Sequence, residues 1–292
     1  MINIKKFTTG IIDFTLNRNF GSRYYPKKFR YIIKLCNKNS KYPDFKIKKN
    51  FYLDRKFIKL ASKKISLDTI KFGYNLNFTD PEDQGYLHRW SWALNLVLEK
   101  NNPRNKKFIT SVIHNWFYTY QNNQPNINKI EWYPYNISER ISNYVILCEL
   151  NFIKRDKIFI DHLNKQMLYL TKNIELYKNK MSNHALNNAR AIFLLSCFTN
   201  NKVFTNFSYK LILHLCQKFI DEKGFFKFCS SHYQFIFTRW LLDIYFLGDK
   251  YKIKGISKVK KKLNLSIKAC NFFLQKKRGL YTFPFFGNIS PD

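Results

Sequence analysis

Acidic residues are scarce in this chain. Against 51 Lys and Arg there are only 19 Asp and Glu, which leaves a formal net charge of +32 and an isoelectric point near 9.9. Such an imbalance creates a field that attracts polyanions: nucleic acid, an anionic membrane or an acidic polysaccharide. No nucleic-acid-binding module is recognisable, which disfavours specific nucleic-acid recognition. The excess also has a compositional source, because Lys, Asn, Ile, Phe and Tyr share A/T-rich codons and the lysines are spread along the chain. Cysteine is present but unpatterned. Cys36, Cys148, Cys197, Cys216, Cys229 and Cys270 form no C-x-x-C pair, so a zinc knuckle or redox motif is unsupported and no metal or cofactor is expected. Several lie in apolar helical patterns, where Cys behaves as a small buried hydrophobe, and they read as a sign of a reducing compartment or simply as unpaired thiols. Long apolar runs are missing: no stretch reaches the ~18 residues of a spanning helix. The apolar run of Met1–Phe20 is broken by Asp13, Asn17 and Arg18 and shows no small-residue cleavage site. No signal peptide is therefore expected, and a cytoplasmic location is favoured with a periplasmic one open. Glycine is scarce as well, at 9 residues, whereas hydrophobic residues reach 45% and aromatics 18%, enough for a large core and too much for disorder.

The 292 residues suffice for one large domain or two small ones. Residues 1–78 are the least readable. Phe29–Cys36 and Phe51–Ala61 are candidate short helices, and Thr69–Phe78 alternates weakly as an extended segment. From Thr79 onward helical periodicity dominates. A helix start at Thr79–Asp83, with acids where a helix N-terminus favours them, leads into one helix running through Gly85 to about Lys100. Its stripe is Leu87, Trp90, Ala93, Leu94, Val97 and Leu98. A second helix is expected over Phe108–Tyr120. Another starts at Asn136 with Glu139 as capping-box partner and a stripe of Ile137, Ile141, Tyr144, Val145 and Cys148. The remaining helices are expected over Ile158–Tyr177, Asn183–Phe198, Phe207–Ile220, Tyr233–Phe246 and Leu263–Gln275. Lys258–Lys262 reads as a solvated basic face, and Leu280–Asp292 as an irregular end. With hardly any strand signal and short or medium loops, the pattern is all-α with antiparallel neighbours.

One stretch organises the chain chemically. Ser182-Asn183-His184-Ala185 places an amide beside an imidazole at a helix start, and Ala185, Ala189 and Ala191 allow close packing after it. Asn183 is suited to cap that helix. A second stretch, Gly224–Gln234, carries Cys229-Ser230-Ser231-His232-Tyr233-Gln234 into an apolar helix. Three further pieces are Trp132–Ile141, Asn173-Ile174-Glu175-Leu176 and Gly287–Asp292. In this order the five pieces resemble the heparinase II/III-like polysaccharide lyases, clearly from about Asp80 to the C-terminus and weakly before it.

The resemblance implies an incomplete (α/α) toroid over residues 79–280, preceded by the N-terminal segment 1–78. Residues 281–292 would then begin a connection to a C-terminal β-sandwich that this chain lacks. It implies an acidic polysaccharide as partner and β-elimination at a uronic acid. The C5 proton is acidic only when the neighbouring carboxylate is neutralised, so such a site needs donors on the carboxylate, a base at C5 and an acid at the leaving oxygen. Asn183 matches the family's carboxylate-neutralising amide, with His184 beside it to assist. Tyr233 matches the tyrosine that handles the proton and the leaving group. His88, Trp132, Tyr135, Arg140 and His232 are the candidate substrate contacts, through stacking and charged hydrogen bonds. For His88 and Arg89 the alternative is a solvated pair beside core tryptophans. For Arg140 it is a local pair with Glu139 or another acid, and for His232 a support of its loop. Two departures stand out: Phe228 replaces an acidic residue common before the Ser-Ser segment, and the relatives' β-sandwich, which supplies further catalytic residues, is missing. The chain reads as a fragment, a truncated product or a stand-alone toroid. Two functional readings follow, a lyase and a non-catalytic glycan-binding or surface-polysaccharide biosynthesis protein; a charge-driven nucleic-acid binder is a third.

Overall fold

A computed structural model describes residues 57–60, 64–66, 78–99, 103–123, 125–176, 183–227, 230–273, 275–277 and 280–282. Among them are two short antiparallel hairpins, β1 (Phe57–Lys59) with β2 (Lys64–Ser66) and β3 (Gln275–Lys277) with β4 (Leu280–Thr282). The rest is helical: α1 (Pro81–His88), α2 (Ser91–Glu99), α3 (Pro103–Tyr120), a 3-10 turn (Ile130–Trp132), α4 (Pro134–Glu149), α5 (Lys157–Lys172), α6 (Asn183–Phe198), α7 (Lys202–Phe219), α8 (Ser231–Lys250) and α9 (Ser257–Phe273). The elements group into two compact units, one holding β1, β2 and α1–α5, the other α6–α9, β3 and β4.

Several expectations are corrected. The helix expected from Thr79 to Lys100 is two, because Trp90 adopts a left-handed φ of 56° and turns the chain between α1 and α2. Asp80 does cap α1, accepting from the Glu82 amide at 2.8 Å. The helix placed at Asn136 begins at Pro134, whose fixed φ suits the first helical position. Asn136 is not its cap: its amide accepts from Arg89 Nε at 2.6 Å and donates to the Ile130 carbonyl at 2.6 Å. Helix α7 starts five residues before Phe207, capped by Asn201, whose side chain accepts from the Phe204 amide. Helix α9 starts at Ser257 and so incorporates the basic run 258–262, and Leu280–Thr282 is a strand. Residues 57–59 within the helix expected over Phe51–Ala61 are strand β1. The expected helix Phe29–Cys36, the extended segment up to residue 77 and the motif at 287–292 lie outside the described residues. Cys148, Cys197, Cys216 and Cys270 are buried, unpaired thiols.

Each unit is built around a helix buried on every side. In the first it is α4. Its apolar stripe is buried as expected, but so is the opposite, polar face: Asn136, Ser138, Glu139, Arg140, Ser142 and Asn143. Polar groups taken out of water must find partners inside. Arg140 is the centre of that solution. Its guanidinium donates to Gln166 Oε1 at 3.0 and 2.7 Å, to the His88 carbonyl at 3.2 Å and to the Glu131 carbonyl at 3.0 Å. It also lies 4.3 Å above the Trp116 ring. One side chain thereby joins α1, α3, the 3-10 turn, α4 and α5. Asn143 adds a bond to the Arg89 carbonyl at 2.6 Å, and Arg89 is itself paired with Glu82.

Removing Arg140 would strand a buried glutamine oxygen and two carbonyls, each worth ~1–3 kcal/mol when left unsatisfied. Arg140→Ala is expected to lower the unfolding free energy by about 3 kcal/mol or more in urea titrations. Arg140→Lys should also destabilise, because an ammonium cannot reproduce the planar fork. An Ala variant within about 1 kcal/mol of wild type would remove Arg140 from this role.

Candidate functional site

In the second unit the central helix is α6, with His184 to Cys197 buried along its length. It packs against α7 and α8. Arg190 Nε pairs with Asp243 Oδ2 at 3.2 Å, its guanidinium lies 5.7 Å from the Trp240 ring centre, and its Nη1 donates to Asn187 Oδ1 at 2.9 Å. One turn further on, Phe193 approaches Gly248, where an added Cβ would stand 3.3 Å from the ring. Residue numbers rise together on both helices, so α6 and α8 run parallel. Their N-termini therefore lie at the same end of the unit, and that end carries Asn183 and His184 from one helix and Ser231, His232 and Tyr233 from the other. Two aligned helix N-termini present amide donors and partial positive charge to whatever binds there.

Asn183 opens α6 as expected; nothing is described of its side chain. His184 is buried, and its Nδ1 lies 2.9 Å from Glu175 Oε1. The other carboxylate oxygen accepts from Asn188 Nδ2 at 3.3 Å, and Asn188 Oδ1 in turn accepts from the Glu175 amide at 2.9 Å. Glu175 is thus held at both ends by one residue, four positions after the imidazole it contacts. A carboxylate accepts hydrogen bonds, so this contact suits an imidazole that carries a proton on Nδ1. The Asn173–Leu176 segment is one of the five motif pieces, but the sequence alone assigns Glu175 no role. The available signal was one acid in an acid-poor chain shortly before the amide–imidazole pair.

Tyr233 sits in the first turn of α8, whose cap is Ser230: the Tyr233 amide donates to Ser230 Oγ at 3.4 Å. The Tyr233 ring is half-buried, edge-on to His232 at 5.5 Å and tilted against Phe237 at 6.1 Å, and Phe237 stacks on Phe226 at 4.3 Å. His232 is buried beside it. Gln234 fixes the preceding loop. Its Oε1 accepts from the Phe226 amide at 2.8 Å, and its Nε2 donates to the carbonyls of Gly224 at 3.0 Å and Ser266 at 3.3 Å. Gly224 has φ of 94°, and a Cβ there would stand 2.3 Å from the Leu265 backbone. Residues 228 and 229, including the Phe228 departure, lie outside the described residues.

The other candidates belong to the first unit, where the structure brings His88, Trp132 and Arg140 together in the core. His88 is fully buried, and its Nδ1 accepts from Trp116 Nε1 at 3.0 Å. Burial and the nearby Arg140 and Arg89 hold its pKa well below the ordinary histidine value. Neither His88 nor Arg89 is solvated, which corrects that alternative; the neighbouring tryptophans are core, as it supposed. Trp132 is 1% exposed, and Arg140 lies 5.9 Å from its ring centre. Tyr135 is buried under the Arg89 guanidinium, 4.9 Å away. Arg140 is fully buried, and its guanidinium donates to Gln166 and to two carbonyls.

His162, which faces Trp116 and Trp132 in the same core, is lowered to about 4, chiefly by burial and then by Arg140 and Lys165. The unfolded chain takes up a proton on each of His88 and His162 near pH 6.5, while the folded chain does not. The unfolded state therefore binds more protons as pH falls from 6.5 toward 4, and stability must drop over that window. By pH 5 His162 costs about 2 kcal/mol, and His88 acts in the same direction. Urea unfolding at pH 7.5 and 5.0 should show this loss, made smaller by about 2 kcal/mol in His162→Gln. A stability flat across the window would mean that these histidines charge freely in the fold.

Among the described residues no helix is long and apolar enough to cross a membrane, and no group of three or more His, Cys, Asp or Glu could hold a metal. No protein-family model and no curated protein matches the sequence. Solved structures do match. The heparan sulfate lyase HepC from Pedobacter heparinus aligns with a TM-score of 0.56 at 12% identity, over 96% of this chain and 43% of its own. A heparinase III structure aligns with a TM-score of 0.51 at 19% identity, over 70% of this chain and 33% of its own. A second heparinase III structure gives 0.53 at 11% identity, over 90% of this chain and 43% of its own. The chain thus spans a third to under a half of the length of these structures. At such identities the likeness is one of fold: the chain is all-α, an incomplete (α/α) toroid distantly related in structure to heparinase III and heparan sulfate lyase.

Proposed function

We propose that the chain is a polysaccharide lyase-like protein that handles a uronic-acid-containing acidic polysaccharide and cleaves it by β-elimination. The observation that supports this reading is the shared end of α6 and α8, which carries a hydrogen-bonded imidazole, a half-buried tyrosine and two helix N-termini. The fold likeness to structures named heparan sulfate lyase and heparinase III supports the same class. Asn183, with the helix N-terminus, faces the uronate carboxylate and draws charge from C5. His184, its proton fixed on Nδ1 by Glu175, assists at Nε2, and Tyr233 handles the C5 proton and the leaving oxygen. The C5–H and C4–O bonds break, the C4=C5 double bond forms, and the leaving oxygen ends protonated. The basic field draws the substrate in. His232, Trp132, Tyr135, Arg140 and His88 remain proposals as substrate contacts. For the last four their burial favours shaping the first unit over touching a sugar.

The test is ultraviolet absorbance from unsaturated uronate during incubation with heparan sulfate and with other uronate polymers. Tyr233→Phe is expected to lower the rate by about 100-fold or more, and an unchanged rate would remove Tyr233 from the chemistry. Glu175→Gln keeps the size of the side chain but removes the charge that orients His184. It should lower kcat about tenfold or more with little change in KM. An effect on KM alone would make Glu175 a binding or folding residue. Saturable glycan binding with no product from any polymer would replace the lyase reading with a non-catalytic glycan-binding one.

A further inference from the structure

The lysines are not evenly spread once the fold is known. From Lys250 to Lys262 seven of 13 residues are lysine and none is acidic, whereas the whole chain has 51 Lys and Arg in 292. This segment is the turn from α8 to α9 and the first half of α9. Helix α9 carries five lysines and no acid. Lys252, Lys254, Lys258, Lys261 and Lys268 are exposed, and among the described residues no carboxylate pairs with any of them. Lys258 and Lys261 stand three apart and Lys261 and Lys268 seven apart, so the three share one side of the helix over roughly 15 Å.

This arrangement works against the helix. Like charges three and four apart repel, and cations near a helix N-terminus oppose its dipole. The surface is nonetheless firmly built. Tyr209 donates its hydroxyl hydrogen bond to the Gly255 carbonyl in the turn, and Gly255 takes a φ of 82° there. Lys262 Nζ donates to the Ile220 carbonyl at 3.4 Å, and Lys260 lies 5.4 Å from the Tyr245 ring centre. The row is a rigid strip of uncompensated ammonium groups. It contains no arginine, the residue suited to bidentate phosphate contacts and base stacking, and single-stranded nucleic acid is usually held on aromatic platforms. Point-like ammonium groups at helical intervals suit an extended polymer bearing sulfate or carboxylate groups along its length. Lys260 of α9 lies over Tyr245 of α8, and further along α9 Cys270 Sγ reaches the Gln234 carbonyl at 3.9 Å, so the two helices run antiparallel and the row runs toward the end of the unit that carries Tyr233.

We propose that the turn 251–256 and the exposed side of α9 form a second binding surface, an exosite that holds an acidic polysaccharide chain outside the proposed site of cleavage. The partner's chemistry rests on the functional reading above; the strip itself does not.

Two quadruple variants of the full chain separate this strip from a general effect of charge. One carries Lys254→Gln, Lys258→Gln, Lys261→Gln and Lys268→Gln. The other carries Lys107→Gln, Lys154→Gln, Lys157→Gln and Lys165→Gln, all exposed in the first unit. Both lower the net charge by the same amount. Heparin binding is measured at several salt concentrations by fluorescence anisotropy. The strip variant is expected to bind about tenfold or more weakly with a shallower salt dependence, and the control within about twofold of wild type. Its thermal midpoint should equal or exceed wild type, because repulsion is relieved. Equal losses in both variants would overturn the exosite in favour of diffuse attraction. Tighter strip-dependent binding of single-stranded DNA of matched charge would overturn the assigned partner, and failure of the strip variant to fold would overturn the claim that these lysines are free of structural duty. Absence of unsaturated product from the wild type would sink the lyase reading while leaving the binding comparison intact.

Discussion

The structure depends on satisfying the polar faces of two helices that water does not reach. Helix α4 and helix α6 are each central in their unit, and each carries a face that an exposed helix would turn to solvent. Burying such groups without partners costs several kcal/mol apiece. Long side chains act on these faces: Arg140 bonds to α1, the 3-10 turn and α5, and Arg190 donates to Asn187 of its own helix and forms an ion pair with Asp243 of α8. These contacts fix where neighbouring helices sit, and so fix what lies at their ends. The parallel course of α6 and α8, which brings His184 and Tyr233 to one end, follows from the Arg190–Asp243 pair and the close pass of Phe193 at Gly248.

The helical content was legible because period-3.6 patterning survives even where both faces are buried. The α6 boundaries match the sequence reading residue for residue, since the apolar run after Asn183 ends where polar residues begin at Thr199. Boundaries failed where local chemistry was diverted. Asn136 looked like a cap, yet its amide serves Arg89, 47 residues away. Trp90 looked like one position on a continuous stripe, yet it adopts a left-handed conformation that sequence patterns do not encode for a bulky residue. Lys258–Lys262 reads as a solvated basic face, yet it belongs to α9, whose Val259 and Leu263 are anchored in the core.

The candidate site was legible in part for a related reason. Residue types and order pointed to Asn183, His184 and Tyr233, and the fold places the last two at a common end. What sequence could not show is which polar residues face inward. His88 and Arg140 carry the same functional groups as ligand-binding residues, and only the network around them shows His88 Nδ1 and the Arg140 guanidinium engaged inside the first unit. Glu175 is the converse: an unremarkable acid in sequence that becomes informative once both its oxygens are seen on α6.

The scarcity of acids acquires a physical meaning from where the acids go. Glu82 is committed to Arg89, Glu175 to His184 and Asn188, Asp243 to Arg190, and Glu149 to Arg155. Asp80, Asp156 and Asp221 accept backbone amides at helix starts and in the loop before α8. An acid spent on a cap or a buried partner does not neutralise the surface. The lysines, whose long stems keep their charge in water, stay outside. Among the described residues no lysine is buried, whereas Arg89, Arg140, Arg190 and Arg239 are. An A/T-rich codon bias would explain how many lysines there are, but not why α9 carries five of them and no acid. A surface so uncompensated weakens the folded state through self-repulsion, and a bound polyanion is the kind of partner that relieves it.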